Sequence, residues 1–309
     1  MSVLLNVCIV TLEEGLMYAL LALGLYITYS ILDFPDLSVD GTFPLGAILT
    51  GILIMNGMNP WLCLIIAFAA GMIAGTLTGL LHVKLKIRPL LCGILVYTAM
   101  LSVNLVLLYK GTGGKAIATF FNKPTIFNTF FSALIPEQIG GYYLRTTIVS
   151  LVIVLICKIL LDLYLKTKSG LLLRATGDNE KFVTMLGRDN GLSKILGLAI
   201  GNGFAAFSGS VIAQSKGSAD QQMGVGMVVL GLASVIIGLS VFKQVSFMKA
   251  STMVILGSVL YKLCLSAALA LGLPTEYLKL LMALIFTLAL VFSNRFSGGK
   301  RRSLNVRAK

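Results

Sequence analysis

The sequence predicts an all-α integral membrane protein with about nine transmembrane helices, within bounds of eight to ten. Of its 309 residues, 57% are hydrophobic and only 12% are charged, about half the charged share of a soluble domain. The mean hydropathy is +0.93. Nine apolar segments approach the roughly 20 residues that a membrane crossing needs. They are residues 14–32, 41–56, 60–82, 89–109, 146–165, 194–214, 223–242, 247–271 and 277–294.

The positions of the basic residues predict the orientation. The formal net charge is +13, and no nucleic-acid-binding motif accompanies it. Membrane proteins concentrate Lys and Arg in cytoplasmic loops, and an odd number of crossings puts the termini on opposite faces. A cytoplasmic C-terminus leaves 18 of the 25 Lys and Arg inside. We therefore expect a multi-pass protein of the plasma or inner membrane, with its N-terminus outside, a lipid environment and no nucleic-acid partner.

The sequence offers no catalytic, cofactor or metal constellation. The five cysteines are scattered along the chain without a CxxC pair, and the single histidine, His82, borders a basic loop. This pattern fits neither a disulfide framework nor a metal site. The GTGGK stretch at residues 111–115 lacks the spacing of a phosphate loop, and no Walker A sequence occurs. We expect no bound cofactor, and a membrane enzyme is disfavoured relative to a transport or scaffold role.

One polar stretch, residues 170–197, carries a helix signature. The predicted helix itself falls in the inner loop, residues 167–193. Asp178 or Thr176 can cap the helix, and Gly187 can end it. The resulting nine or so residues span roughly 13 Å, far less than the ~30 Å of a bilayer. The sequence therefore predicts a short helix outside the hydrocarbon.

This short helix is amphipathic. Phe182, Met185 and Leu186 fall on one face, at the i, i+3 and i+4 positions. Such a face favours contact with a partner. A helix at headgroup level and a loop folded back on its own domain are the alternatives.

The connection after the first span predicts a broken helix. It contains Pro35 and Pro44, and such backbone at membrane depth must be buried in protein or face a water-filled cavity. Thr42 can cap the half-helix that follows. A small-residue span at 197–213, a polar break at 214–227 and another apolar helix repeat this pattern with the opposite entry. The two together predict an inverted-topology repeat.

Polar side chains within the spans are costly and often functional, so six of them are candidates for a solute path. These are Ser38, Asp40, Thr42, Asn104, Asn202 and Gln214. For Asn104 and Asn202 the alternative is interhelical hydrogen bonding. For Asp40 the alternative is a cap on the half-helix.

The chain is predicted to form a single polytopic domain, residues 1–294, with an outer loop at 110–145 and a basic tail at 295–309. Tails of this composition anchor beside anionic lipid, on the cytoplasmic side in this orientation.

Three blocks of the sequence resemble the permease subunits of binding-protein-dependent ABC importers. These blocks are GLMYALLALGLYITYSILDFPDLSVDGTFPLGA from Gly15, LRATGDNEKFVTMLG in the polar stretch, and QSKGSADQQMGVGMVVLGLASVIIG from Gln214. The resemblance is to the superfamily that handles branched-chain amino acids, ribose and nucleosides, nearest its tryptophan/tyrosine-type branch. The three blocks cover about half of the chain. Leu239 stands where the family often has an acidic residue, and the outer loop matches poorly.

The resemblance implies an importer subunit that forms the translocation path, with an amino acid, in this branch an aromatic one, as the solute. Branched-chain amino acids and nucleosides are the alternative solutes. The implied partners are two copies of an ABC ATPase that binds and hydrolyses ATP, an extracytoplasmic substrate-binding protein, and a second permease in a homodimer. Broken helices alone would also fit an ion-coupled secondary transporter.

The same resemblance identifies the polar stretch with a coupling helix that docks on the ATPase. The residues that it assigns to coupling are Arg174, Gly177, Asp178, Asn179, Glu180, Phe182, Met185, Leu186 and Gly187.

Overall fold

The computed structural model describes residues 2–129, 138–139, 142–185, 187–243, 245, 247–274 and 277–305. Most of these residues are helical, as predicted. The helices are α1 (Ser2–Leu25), α2 (Val39–Met55), α3 (Pro60–Val83), α4 (Pro89–Thr112), α5 (Arg145–Tyr164), α6 (Lys168–Asp178), α7 (Glu180–Met185), α8 (Asn190–Lys216), α9 (Met227–Val241), α10 (Ala250–Ala270) and α11 (Leu278–Asn305).

Seven segments of the described chain are long and apolar enough to cross a membrane. They are Val7–Ile31, Pro60–Val83, Pro89–Thr112, Arg145–Tyr164, Asn190–Lys216, Gln221–Val241 and Ala250–Ala270. The two other predicted spans correspond to shorter apolar helices, Val39–Met55 and Leu278–Val291. The membrane class is therefore confirmed, whereas the count of nine crossings stays a prediction.

Helix α8 is the central element. Most of its apolar stretch is buried, and its neighbours are α1, α2 and α3. Small residues permit these contacts, because helices without bulky side chains at their interface can bring their backbones close together. A methyl group on Gly46 of α2 would lie 1.9 Å from the carbonyl oxygen of Ala206 in α8. Only glycine fits there.

The helix ends define two faces of the protein. Gly177 of α6 packs on the carbonyl of Ile31, just after α1, and Gly191 at the start of α8 packs on Val83 at the end of α3. We call this end of the protein the α6–α7 face. The opposite end is the sheet face, where β1 (Ile117–Thr119) pairs antiparallel with β4 (Ser218–Asp220).

Two short sheets modify the all-α prediction. In the β1–β4 pair, Ile117 is opposite Asp220 and Thr119 is opposite Ser218. A second antiparallel pair joins β2 (Gln138–Ile139) to β3 (Tyr142–Tyr143). The first sheet connects the loop after α4 to the break after α8, two segments whose pairing local sequence does not reveal.

The chain is broken between α1 and α2, as the prolines predict. A π-helix, Tyr26–Ile31, follows α1, and irregular backbone then runs to Ser38. Asp33 in this connection has a φ of 54°, a left-handed conformation that Asp tolerates better than most residues. Helix α2 starts at Val39, three residues before the predicted cap. Thr42 therefore lies inside the helix and is not its cap.

Substitution of Gly209 tests the close contact of α8 with α2. A methyl group there would lie 2.1 Å from the carbonyl oxygen of Phe43, a backbone atom that cannot move without displacing α2. We expect Gly209→Ala to lower the free energy of unfolding by about 1–3 kcal/mol and to lower the thermal midpoint in detergent. The matched control is Gly203→Ala on the same helix, because its methyl would meet side-chain atoms of Met72 and Phe68 at 3.0 Å. Equal losses in the two variants would contradict the backbone clash.

Candidate functional site

A buried polar network joins the α1–α2 connection to the middle of α8. Asp36 accepts hydrogen bonds from the Ser38 amide (2.9 Å), the Ser38 hydroxyl (2.6 Å) and Asn202 Nδ2 (2.7 Å). Thr42 Oγ1 donates to Asn202 Oδ1 at 2.8 Å. All four side chains are at most 2% exposed. The structure thus brings together three of the six predicted path residues.

Asp36 is the residue of this network that sequence reasoning missed. It lies in the same polar connection as Asp33, and nothing local distinguishes the two. Asp36 is 2% exposed, and no Lys or Arg of the described chain forms an ion pair with it. Burial of a carboxylate is tolerated only when donors satisfy it, and here three donors on Ser38 and Asn202 do so.

Asp40 joins the two broken regions of the chain. Its carboxylate accepts from the amides of Val228 at 2.7 Å and Gly226 at 3.3 Å, which are at the start of α9. A carboxylate at a helix N-terminus satisfies free N–H groups and opposes the positive end of the dipole. The expected alternative, a cap on its own half-helix, is wrong, because Asp40 caps α9 across the interface.

The remaining two path candidates form hydrogen bonds to backbone groups elsewhere in the protein. Asn104 Nδ2 donates to the carbonyl of Gly41 at 2.9 Å and ties α4 to α2. Gln214 accepts from the Ile126 amide at 2.9 Å and donates to the carbonyl of Pro60 at 3.3 Å, near the sheet face. The alternative kept for Asn104 and Asn202, interhelical hydrogen bonding, is therefore what this conformation contains.

The polar stretch forms two helices where the sequence predicts one. Thr176 and Asp178 belong to α6, and the break falls at Asn179, whose side chain accepts from the Phe182 amide at 3.0 Å and caps α7. Gly187 has the predicted left-handed φ of 68°. The cap is Asn179 and not Thr176 or Asp178, because α6 continues through Asp178. Gly177 permits this by packing against the carbonyl of Ile31, just after α1.

Helix α7 presents an apolar surface away from the protein. Phe182 is 56% exposed and Met185 is 84% exposed, whereas Val183 is buried beneath them. Leu186, the third residue of the predicted face, lies outside the described residues. Two large apolar side chains of a short helix thus lack cover within the described chain.

The polar coupling candidates lie in three different surroundings. Glu180 accepts from Lys194 Nζ at 2.7 Å and from Asn190 Nδ2 at 2.9 Å, so it fastens α7 to the first turn of α8. Arg174 borders a cavity beside α5 and α10. Asp178 and Asn179 are exposed around the break.

A family model described as "Branched-chain amino acid transport system / permease component" matches residues 9–290. A tyrosine transport system permease protein of Clostridioides difficile is 40% identical over 283 residues, covering 92% of this chain and 90% of that protein. An uncharacterised protein of Rickettsia prowazekii is 32% identical, covering 92% of this chain and 97% of that protein. The autoinducer 2 import system permease protein LsrC of Salmonella paratyphi B is 25% identical, covering 87% of this chain and 73% of that protein.

Removal of the Asn202 amide tests the buried network. Asn202→Ala takes a donor from the Asp36 carboxylate, and a hydrogen bond to a charged group contributes about 1.5–3 kcal/mol. We expect a loss of that size in a denaturant titration of the purified protein. The control is Ser210→Ala on the same helix, which removes a 2.6 Å neutral bond to Thr50 and should cost about 1 kcal/mol. An equal loss of unfolding free energy in Ser210→Ala would mean that the Asp36 network stabilises the protein no more than one neutral hydrogen bond.

Proposed function

Because the chain belongs to the branched-chain amino acid transport permease family, we propose that it forms the solute path of an ABC importer driven by a separate ATPase. The family match over residues 9–290 carries this proposal. The sequence contains no Walker A motif, so the ATP belongs on a partner subunit and this chain binds no cofactor itself. An extracytoplasmic substrate-binding protein would deliver the solute.

We assign ATPase docking to the exposed surface of α7. Phe182 and Met185 are uncovered, and a helix that lays apolar side chains into a groove is a recurrent recognition mode. Glu180 links this helix to α8 through Lys194. Movement of the ATPase would therefore reach the central helix of the membrane domain, by way of a rigid-body shift. Gly177 supports this role by seating α6 on the end of α1.

The proposed topology has nine crossings, an external N-terminus and a cytoplasmic α6–α7 face. The distribution of Lys and Arg supports it, and the basic tail at 295–309 would lie on the same side. An inverted repeat of α1–α4 and α8–α11 is supported by the opposite directions of α1 and α8 relative to that face. Two permeases, each with one ATPase, would complete the importer.

We propose that the path residues affect transport by linking helices to one another. Of the six candidates, five are buried, and Asp40 alone is partly exposed. Direct contact of Ser38, Thr42 or Asn202 with a solute would require α2 and α8 to separate. We propose that alternating access moves these helices at the broken segments, where the backbone is least regular.

An aspartate on the proposed docking surface tests the ATPase contact. Phe182→Asp puts a charge on an apolar contact. We therefore expect the ATP hydrolysis rate of the affinity-purified permease complex to fall at least tenfold. The matched control is Phe121→Asp near the sheet face, where the side chain is 70% exposed and the complex should keep its activity. A wild-type level of copurifying activity in Phe182→Asp argues against this surface. Transport that follows an ion gradient without any ATPase would overturn the importer assignment.

We propose an aromatic amino acid as the solute, because the relative with 40% identity is a tyrosine transport permease. Branched-chain amino acids and nucleosides are the competing solutes. In proteoliposomes with the full importer, excess tyrosine or tryptophan should suppress labelled tyrosine uptake at least tenfold more effectively than leucine or adenosine. Preference for leucine, or ligand-binding data showing a sugar in the cognate binding protein, would make the aromatic assignment wrong while leaving the permease role intact.

A further inference from the structure

A cavity of about 410 Å³ opens between the ends of α5, α6 and α10. Lys166, Arg174 and Lys249 line it, together with one carboxylate, Asp162. Three positive groups therefore surround a space large enough for a small headgroup. Lys166 lies just before α6 and Arg174 lies within it, whereas Lys249 reaches the cavity from the start of α10.

The single carboxylate is already neutralised. Asp162 accepts from the Ser251 hydroxyl at 2.6 Å and from Lys249 Nζ at 3.0 Å, and Lys158 Nζ lies 3.8 Å from it. Its side chain is only 13% exposed. Asp162 therefore offers little negative charge to the cavity, and its bonds orient the Lys249 ammonium.

The other two basic groups have no such compensation. Neither Lys166 nor Arg174 forms an ion pair with an acidic residue in the described part of the chain. Guanidinium and ammonium groups together bind phosphate well, since one supplies a planar fork of donors and the other a point charge. The cavity has an excess of positive charge without an anion of the protein to match it.

The start of α10 adds to this positive character. The helix is 21 residues long, begins at Ala250 in the cavity wall, and has no side-chain cap hydrogen bond on its first N–H groups. Uncapped amides at a helix N-terminus favour bound anions. The cavity also lies at the last turn of α5, a helix long and apolar enough to cross a membrane, and the end of such a helix is where lipid headgroups are expected.

We propose that this cavity binds a phosphate group, supplied by an anionic phospholipid headgroup or by a soluble phosphate. The bound group would contact α6 through Arg174 and the membrane core through Lys249. It would thereby fix the position of α6, the helix that precedes the proposed docking helix α7. This site needs no ATPase for its own formation, so it stands or falls separately from the docking surface on α7.

The test uses the full-length permease in phosphatidylcholine nanodiscs without an ATPase. Equilibrium binding is measured for dioctanoyl phosphatidylglycerol and, separately, for inorganic phosphate. We expect saturable binding of one probe at one site per chain. Lys166→Gln should weaken it about fivefold, the effect of roughly 1 kcal/mol for one basic residue at an anionic surface. Binding of phosphatidylglycerol alone would identify the lipid source, and binding of inorganic phosphate with the same dependence on Lys166 would identify the soluble source.

Matched variants separate a site from general surface charge. Lys84→Gln removes an exposed lysine from the same face, at the end of α3, and should leave the affinity unchanged. Lys166→Arg should retain binding, which controls for misfolding. Asp162→Asn keeps a hydrogen-bonding group beside Ser251 but removes the charge that pairs with Lys249, so the released ammonium charge should tighten binding. Equal weakening by Lys84→Gln and Lys166→Gln, or no saturable binding of either probe, would overturn the proposal.

Discussion

The buried hydrogen bonds that join Asn202 to Asp36 and to Thr42 are the constraint on which the packing of α8 against the α1–α2 connection depends. They hold an irregular connection of the chain inside the protein, against the largely buried helix α8. Backbone of this kind has no place in lipid. The two glycine contacts of α8 with α2 then become geometrically available, because α2 begins at a fixed distance from α8.

A second set of contacts, at Asp40, holds the two breaks of the chain against each other. Pro44 lacks an N–H, so the carbonyl of Asp40 has no ordinary helical partner. Gly224, in the second break, packs directly on that carbonyl, and the Asp40 side chain caps α9. Each break is thus completed by the other, which makes the pair a natural position for relative movement of the two halves.

Much of the fold could be predicted from the sequence, because apolar length and proline positions are local signals. The existence of a helix near Phe182 and the left-handed Gly187 are of this kind. The identity of its cap was not predictable, since Thr176, Asp178 and Asn179 are all competent and the choice depends on Gly177 touching Ile31. Asp36 was missed for a similar reason, because its partner Asn202 lies 166 residues away. The cationic cavity likewise depends on a distant residue, because Lys249 lies 75 residues along the chain from Arg174.

The break at Asn179 has a mechanical consequence. Helix α6 rests on the end of α1, through Gly177, while α7 is fastened to the base of α8, through Glu180 and Lys194. The two helices on either side of one residue therefore have different anchors, although α6 also touches α8, where Leu173 packs on Gly197. A force on α7 would reach α8 directly through the ion pair, and would reach the end of α1 only through the turn at Asn179. The geometry of that single turn would then decide whether α1 and α8 move together or slide past each other.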